Sequence, residues 1–203
     1  MKNKKNTLTI LIIIILLLSL LLGAYFIIST QNKDEDIEIL PQEVDSIEGY
    51  EYKLEDRDTT LYKDIFAELK SVLESEEIDY SNYAELLSEL YIIDLYTINN
   101  KVSKYDVGGY EFILPDSRDN YSLKVENTLY KYVEDNSNGK RVQTLPEVKS
   151  IEIIETKESK FNVKENEYDG FSIELQWDYV DDLDYDTNAV VNLIETDNRL
   201  YVF

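Results

Sequence analysis

Residues Leu8–Ile28 (LTILIIIILLLSLLLGAYFII) form an apolar run in which only Thr9 and Ser19 carry polar side chains, and neither is charged. At about 1.5 Å per helical residue, a run of this length crosses a hydrocarbon core of roughly 30 Å. No other feature of the chain restricts its fold so strongly, because whatever follows must work on one side of a bilayer. Lys2, Lys4 and Lys5 precede the run without any acid among them. Basic flanks stay in the cytoplasm, so residues 1–7 read as a cytoplasmic tail, 8–28 as a single span, and the remainder as extracytoplasmic. A cleaved secretory signal has a shorter apolar core followed by small residues at the cleavage site. Here Ala24-Tyr25-Phe26-Ile27-Ile28-Ser29-Thr30 contains no Ala-x-Ala pattern, which favours a retained anchor.

Charge and composition then remove whole classes of activity. The net charge is −22, and the basic tail makes the extracytoplasmic part more acidic still. Such a surface repels phosphate backbones, so nucleic-acid binding is not expected. Histidine and cysteine are both absent. This excludes Ser-His-Asp triads, cysteine nucleophiles and His/Cys zinc sites, and leaves no disulfide to support the fold. No cofactor is implied. The abundance of Asn, Ile, Lys, Tyr and Glu suits an AT-rich bacterial genome, so the 17 tyrosines need no carbohydrate site to explain them.

Residues 29–49 are acidic with little periodicity and read as a linker, leaving 50–203 as one domain. Tyr50–Leu54 alternates as a short strand or extended lead-in. Leu61, Ile65, Phe66, Leu69, Val72 and Leu73 predict an amphipathic helix over about 59–75. A second helix starts near Asp79 or Ser81 and is apolar on nearly every side, the mark of a buried element. Tyr105–Ile113 reads as two extended pieces around a Gly108-Gly109 turn. A third helix is expected over about 120–135, with Leu123, Leu129, Tyr132 and Val133 on its apolar side. Beyond Val148 the pattern changes to period two. It is clearest over Phe171–Val180, with relatives at Ile151–Thr156, Phe161–Lys164, Ala189–Thr196 and Arg199–Phe203. Lys164–Glu167 and Asp197-Asn198 supply turns. The expected class is therefore α+β: three helices packed on a curved antiparallel sheet behind an N-terminal transmembrane helix.

That order of helix, helix, short hairpin, helix and antiparallel meander over residues 50–203 resembles the nuclear transport factor 2-like (ketosteroid-isomerase-like) cone. Asp94–Lys101 (DLYTINNK) and Lys104–Gly109 (KYDVGG) are also similar to segments of uncharacterised anchored proteins of Gram-positive bacteria. The tail, span and cone further resemble scaffold subunits of conjugation and type IV secretion machines. The resemblance implies a cone fold but no single activity, since this fold carries enzymes and passive modules alike.

Asp94 is the weak catalytic candidate, because it lies inside the most apolar helix of the domain. A buried carboxylate must be paired, hydrogen-bonded or protonated. It either serves as a base with a tyrosine partner, as the cone enzymes imply, or has no catalytic role, facing solvent or accepting from a tyrosine hydroxyl or from Lys101. Phe171, Trp177 and Tyr179 share one strand face and either line an apolar pocket or belong to the core. Asp182, Asp184 and Asp186 alternate like the opening of a calcium loop. The positions that need Gly and Glu hold Thr187 and Leu193 instead, so an acidic turn is the simpler reading. Ser137-x-x-Lys140 falls in an expected turn and carries no chemistry. The expected function is a single-pass, extracytoplasmic binding or assembly module of the cell envelope that is not an enzyme. Its expected partners are the membrane through Leu8–Ile28 and an envelope protein or a second copy of itself. The alternatives are an Asp/Tyr-dependent cone enzyme or ligand binder, and a secretion-machine scaffold.

Overall fold

The computed structural model describes residues 18–20, 22–23 and 40–203. Of the apolar run, Leu18–Leu20 and Leu22–Gly23 are helical, with Leu18, Leu20 and Leu22 exposed. The rest of the expected span, the tail and residues 29–39 lie outside the described residues. Among the described residues, no helix is long and apolar enough to cross a membrane.

Folded chain begins earlier than the expected linker boundary at residue 49. Strand β1 (Glu43–Ser46) pairs antiparallel with β2 (Lys53–Glu55), from Glu43↔Glu55 to Ser46↔Lys53. Gly49 takes φ 82° in the connecting turn, a conformation available to glycine without a Cβ penalty. Ile47 and Tyr52, at the two ends of this turn, are buried in the core. The Tyr52 hydroxyl donates to Leu200 O (3.2 Å) and lies 2.6 Å from that of Tyr83. Apolar burial at these two positions draws an otherwise acidic segment into the domain.

Helix α1 (Thr60–Leu73) starts where Thr59 Oγ1 accepts the Tyr62 N–H, and it buries Tyr62, Ile65, Phe66, Leu69 and Leu73 at helical spacing. Helix α2 (Tyr80–Tyr96) is capped by Asp79, which accepts from the Ser81 and Asn82 N–H groups at 3.1 Å. Both starts match the sequence expectation. The all-round burial expected for α2 is also observed, since it packs against α1 and against the sheet.

The sheet is an antiparallel meander, β3-β4-β5-β6 (Val148–Val163, Asn166–Tyr179, Asn188–Thr196, Arg199–Val202). The two strands expected at 151–156 and 161–164 are one, because Lys157–Lys160 between them pair in regular register with Asp169–Ser172 of β4; bulges fall earlier, between Val148 and Ser150 and between Ile153 and Glu155. Asp197 and Asn198, with φ of 53° and 60°, form the tight β5–β6 turn. Phe171, Ile173, Leu175 and Trp177 of β4 face the helices and are buried. The overall class is thus α+β with antiparallel sheets.

Two expectations fail, each for a local reason. Tyr105–Ile113 forms no hairpin: it is a turn followed by a 3₁₀ segment, Tyr110–Phe112, and only Ile113 makes an isolated parallel bridge, to Val202. Gly108 lies so close to α2 that an added Cβ would sit 2.0 Å from Asp94 O, and Gly109 takes φ 75°. The pair lets the chain pass against a helix and does not serve as a strand reversal. The third helix, α3 (Arg118–Asn127), ends well before 135. The side chains of Asn127 and Thr128 bond Leu123 O and Lys124 O at 2.6 Å, taking acceptors a further helical turn would use. The chain then turns to place Tyr130 and Val133 in a second apolar cluster with Leu95, Ile98, Val125 and Leu145.

Leu90 lies on α2 with no exposed surface. Leu90→Ala is expected to cost about 3 kcal/mol through lost burial and the cavity it leaves, read as a lower urea midpoint with an unchanged m value.

Candidate functional site

Asp94, one turn from the end of α2, is only partly buried but fully engaged. Its Oδ1 pairs with Lys101 Nζ, and its Oδ2 accepts the Gly109 N–H at 2.6 Å. Lys101 is 2% exposed, and Asp94 is the ion-pair partner that makes its burial tolerable. Of the two readings of Asp94, the structural one with Lys101 matches this geometry. The same loop is fixed twice more by tyrosine. Tyr121 Oη donates to Gly108 O (2.7 Å), and Tyr130 Oη accepts the Gly108 N–H (3.4 Å) while donating to Leu95 O of α2 (2.7 Å).

A second charged pair lies beside the first. The Arg57 guanidinium grips Asp106 through both terminal nitrogens (Nη2 to Oδ1, 3.0 Å; Nη1 to Oδ2), while its Nε donates to Glu55 (2.7 Å). Asp106 also accepts the Val102 N–H at 2.7 Å. Burial works to raise the Asp106 pKa, but the hydrogen bonds and charge of Arg57 outweigh it and hold the carboxyl below the usual range.

These groups border a polar cleft of about 160 Å³ between β2, α1, the end of α2 and the 101–111 loop. Asp58, Tyr62 and Glu111 complete its wall. Among the described residues Glu111 makes no ion pair: its Oε1 accepts the Lys53 N–H (3.2 Å) and the Tyr62 hydroxyl (3.5 Å). Burial, reinforced by the negative charge of Asp94, pushes its carboxyl up to about 8. Burial raises Asp58 to about 6, partly offset by its bond from the Glu55 N–H (2.7 Å). The cleft thus sets two ion-paired aspartates beside Glu111, raised far enough to keep its proton at neutral pH, and Asp58, raised less far. Its volume is below the roughly 300–1,000 Å³ typical of small-molecule sites.

The remaining sequence candidates lie elsewhere. Phe171 and Trp177 belong to the core; Trp177 is 3% exposed and its ring packs on Tyr96 with centroids 4.9 Å apart. They also border open hollows of about 440 and 500 Å³, edged by exposed strand residues such as Glu158, Lys160, Glu152 and Asp178. Tyr179 is half-buried and donates to Asp186 O at 2.7 Å. Asp182, Asp184 and Asp186 are exposed, and among the described residues no three His, Cys, Asp or Glu side chains are grouped to hold a metal ion. In this segment Asp184 takes φ 58°, and its N–H donates to Asp182 Oδ1 at 3.3 Å. Ser137 caps its own turn by donating to Asp135 (2.6 Å).

Sequence reasoning missed Arg57, Asp58, Asp106 and Glu111. The available signal was slight: Arg57 is the one cation in the run Glu55-Asp56-Arg57-Asp58. No family model, no curated protein and no solved structure matches the chain.

Two outcomes follow from this geometry. Asp94→Asn is expected to cost about 3 kcal/mol, because it leaves a buried ammonium uncompensated; adding Lys101→Met should recover most of the loss in urea denaturation. The second outcome concerns pH. Glu111, Asp58 and Glu89 (raised to about 7 by burial and by the charges of Glu68 and Glu85) bind protons more tightly folded than unfolded. Their ionisation therefore opposes folding, and the melting temperature should rise as pH falls from about 8 to about 5. Glu111→Gln should flatten that slope and gain about 2 kcal/mol at pH 8.

Proposed function

We propose that this chain is a single-pass, membrane-anchored protein of a bacterial cell envelope whose extracytoplasmic domain acts by binding or assembly and not by catalysis. The observation that carries the anchored half of the reading is the Leu8–Ile28 run with its basic flank. The non-catalytic half is supported by Asp94. Each of its oxygens already accepts a bond, from Lys101 and from the Gly109 N–H, which makes the strongest candidate base a weaker one. The small volume of the adjoining cleft supports the same reading. A helix packed on an antiparallel meander, with a second helix against it, is consistent with a cone-like domain, a form that serves binding as readily as chemistry.

One observation favours the enzyme alternative. Glu111, raised to about 8, sits beside Tyr62, a pairing able to exchange a proton near neutral pH. Glu111→Gln separates the two readings, because an enzyme would lose activity with it while a binding module would retain its partners in a pull-down of the intact protein. For the anchor, the full chain is expected to sediment with membranes and resist alkaline carbonate, whereas deletion of residues 1–28 should release it. Recovery of a shortened chain from the medium would instead indicate cleavage.

A further inference from the structure

A second concavity lies away from the Asp94 cleft, between α2, α3 and the end of β6, with a volume of about 470 Å³. This lies within the usual size range of small-molecule sites. One wall is apolar and aromatic: Tyr91, Leu95 and Tyr96 of α2, with Val202 and Phe203. The opposite wall comes from α3 and its flanking residues and is mixed: Ser117, Asn120, Lys124 and Thr128 recur at helical spacing as a polar stripe beside Tyr121, Val125 and Leu129. No Asp or Glu lines the groove, in a chain whose net charge is −22. By helical spacing, Asp119 and Glu126 of α3 fall on the face away from Lys124.

Among the residues that line the groove, Lys124 carries the charge; it is exposed and makes no ion pair among the described residues. The groove walls are held in place by other bonds: the Tyr121 hydroxyl is committed to Gly108 O, and its ring packs on Tyr91 with centroids 6.2 Å apart.

We infer that this groove binds a small amphiphilic carboxylate, its alkyl or aromatic body against the α2 and β6 wall and its single anionic head at Lys124. A cationic amphiphile would meet Lys124 as a like charge. A purely apolar ligand would desolvate Ser117, Asn120 and Lys124 with nothing to replace water. A carboxylate supplies the charge and the acceptors that this stripe lacks. The inference goes beyond the assembly role proposed above and does not depend on it.

The test uses the full chain reconstituted in phosphatidylcholine vesicles and a diazirine-bearing dodecanoate, with photolabelled residues located by mass spectrometry. Labelling is expected at 91–96 and 121–129, and unlabelled decanoate should displace it at least about tenfold more effectively than decanol or decylamine. Lys124→Glu and Asn120→Trp replace exposed groove residues. Each should lower labelling by about tenfold while the melting temperature holds. Labelling confined to 8–28, equal displacement by decanol, or undiminished labelling of Lys124→Glu in a protein that melts normally would each overturn the assignment.

Discussion

The Asp94 carboxylate is the contact on which the second half of the helical layer depends. One oxygen receives a lysine seven residues on, the other a backbone N–H fifteen residues on. Between those anchors the chain leaves α2, turns through Ile98–Asn100 and passes back across the helix it has just left. The close approach of Gly108 follows from that path, as does the seating of Tyr121 and Tyr130, whose hydroxyls bond the loop and the end of α2. α3 begins where Arg118 holds Ile113 O (3.1 Å), Glu111 O (3.0 Å) and Glu51, so its position is tied to the same loop.

The domain treats its charges in two ways. Where a cation is within reach, carboxylates are drawn inward and paired, as with Asp94 and Asp106. Where no ion pair forms, as at Glu111, the carboxyl is raised towards neutrality and keeps its proton. Both are responses to the same desolvation cost, and they meet within one cleft. Acids far outnumber bases in this chain, and the groove at α3 departs from that balance, with Lys124 and no carboxylate among its lining residues.

The regular elements were legible because their signals are local. Thr59 and Asp79 mark helix starts, the apolar residues of α1 recur at helical spacing, and Phe171–Trp177 alternate. What sequence reading lost was set by distant partners. Gly108-Gly109 looks like a hairpin turn until Asp94 O is seen to occupy the space of a Cβ. The apolar residues Leu129 and Val133 suggest continued helix, but Asn127 and Thr128 bond the last carbonyls and end it. Arg57 and Asp106 are 49 residues apart, and no pattern in the sequence joins them. Asp94 was identifiable from its apolar surroundings, and Lys101 as its possible partner, but the cleft they close was not.

The burial of Lys101 also couples two segments that are separate in the chain. An ammonium enclosed without its counterion would be strongly disfavoured. Its partner sits on α2, which packs both on α1 and on the sheet. The closed path of the 98–113 loop is therefore favourable only with α2 in place, and an ion pair near the helix end makes the loop and the helix stand or fall together.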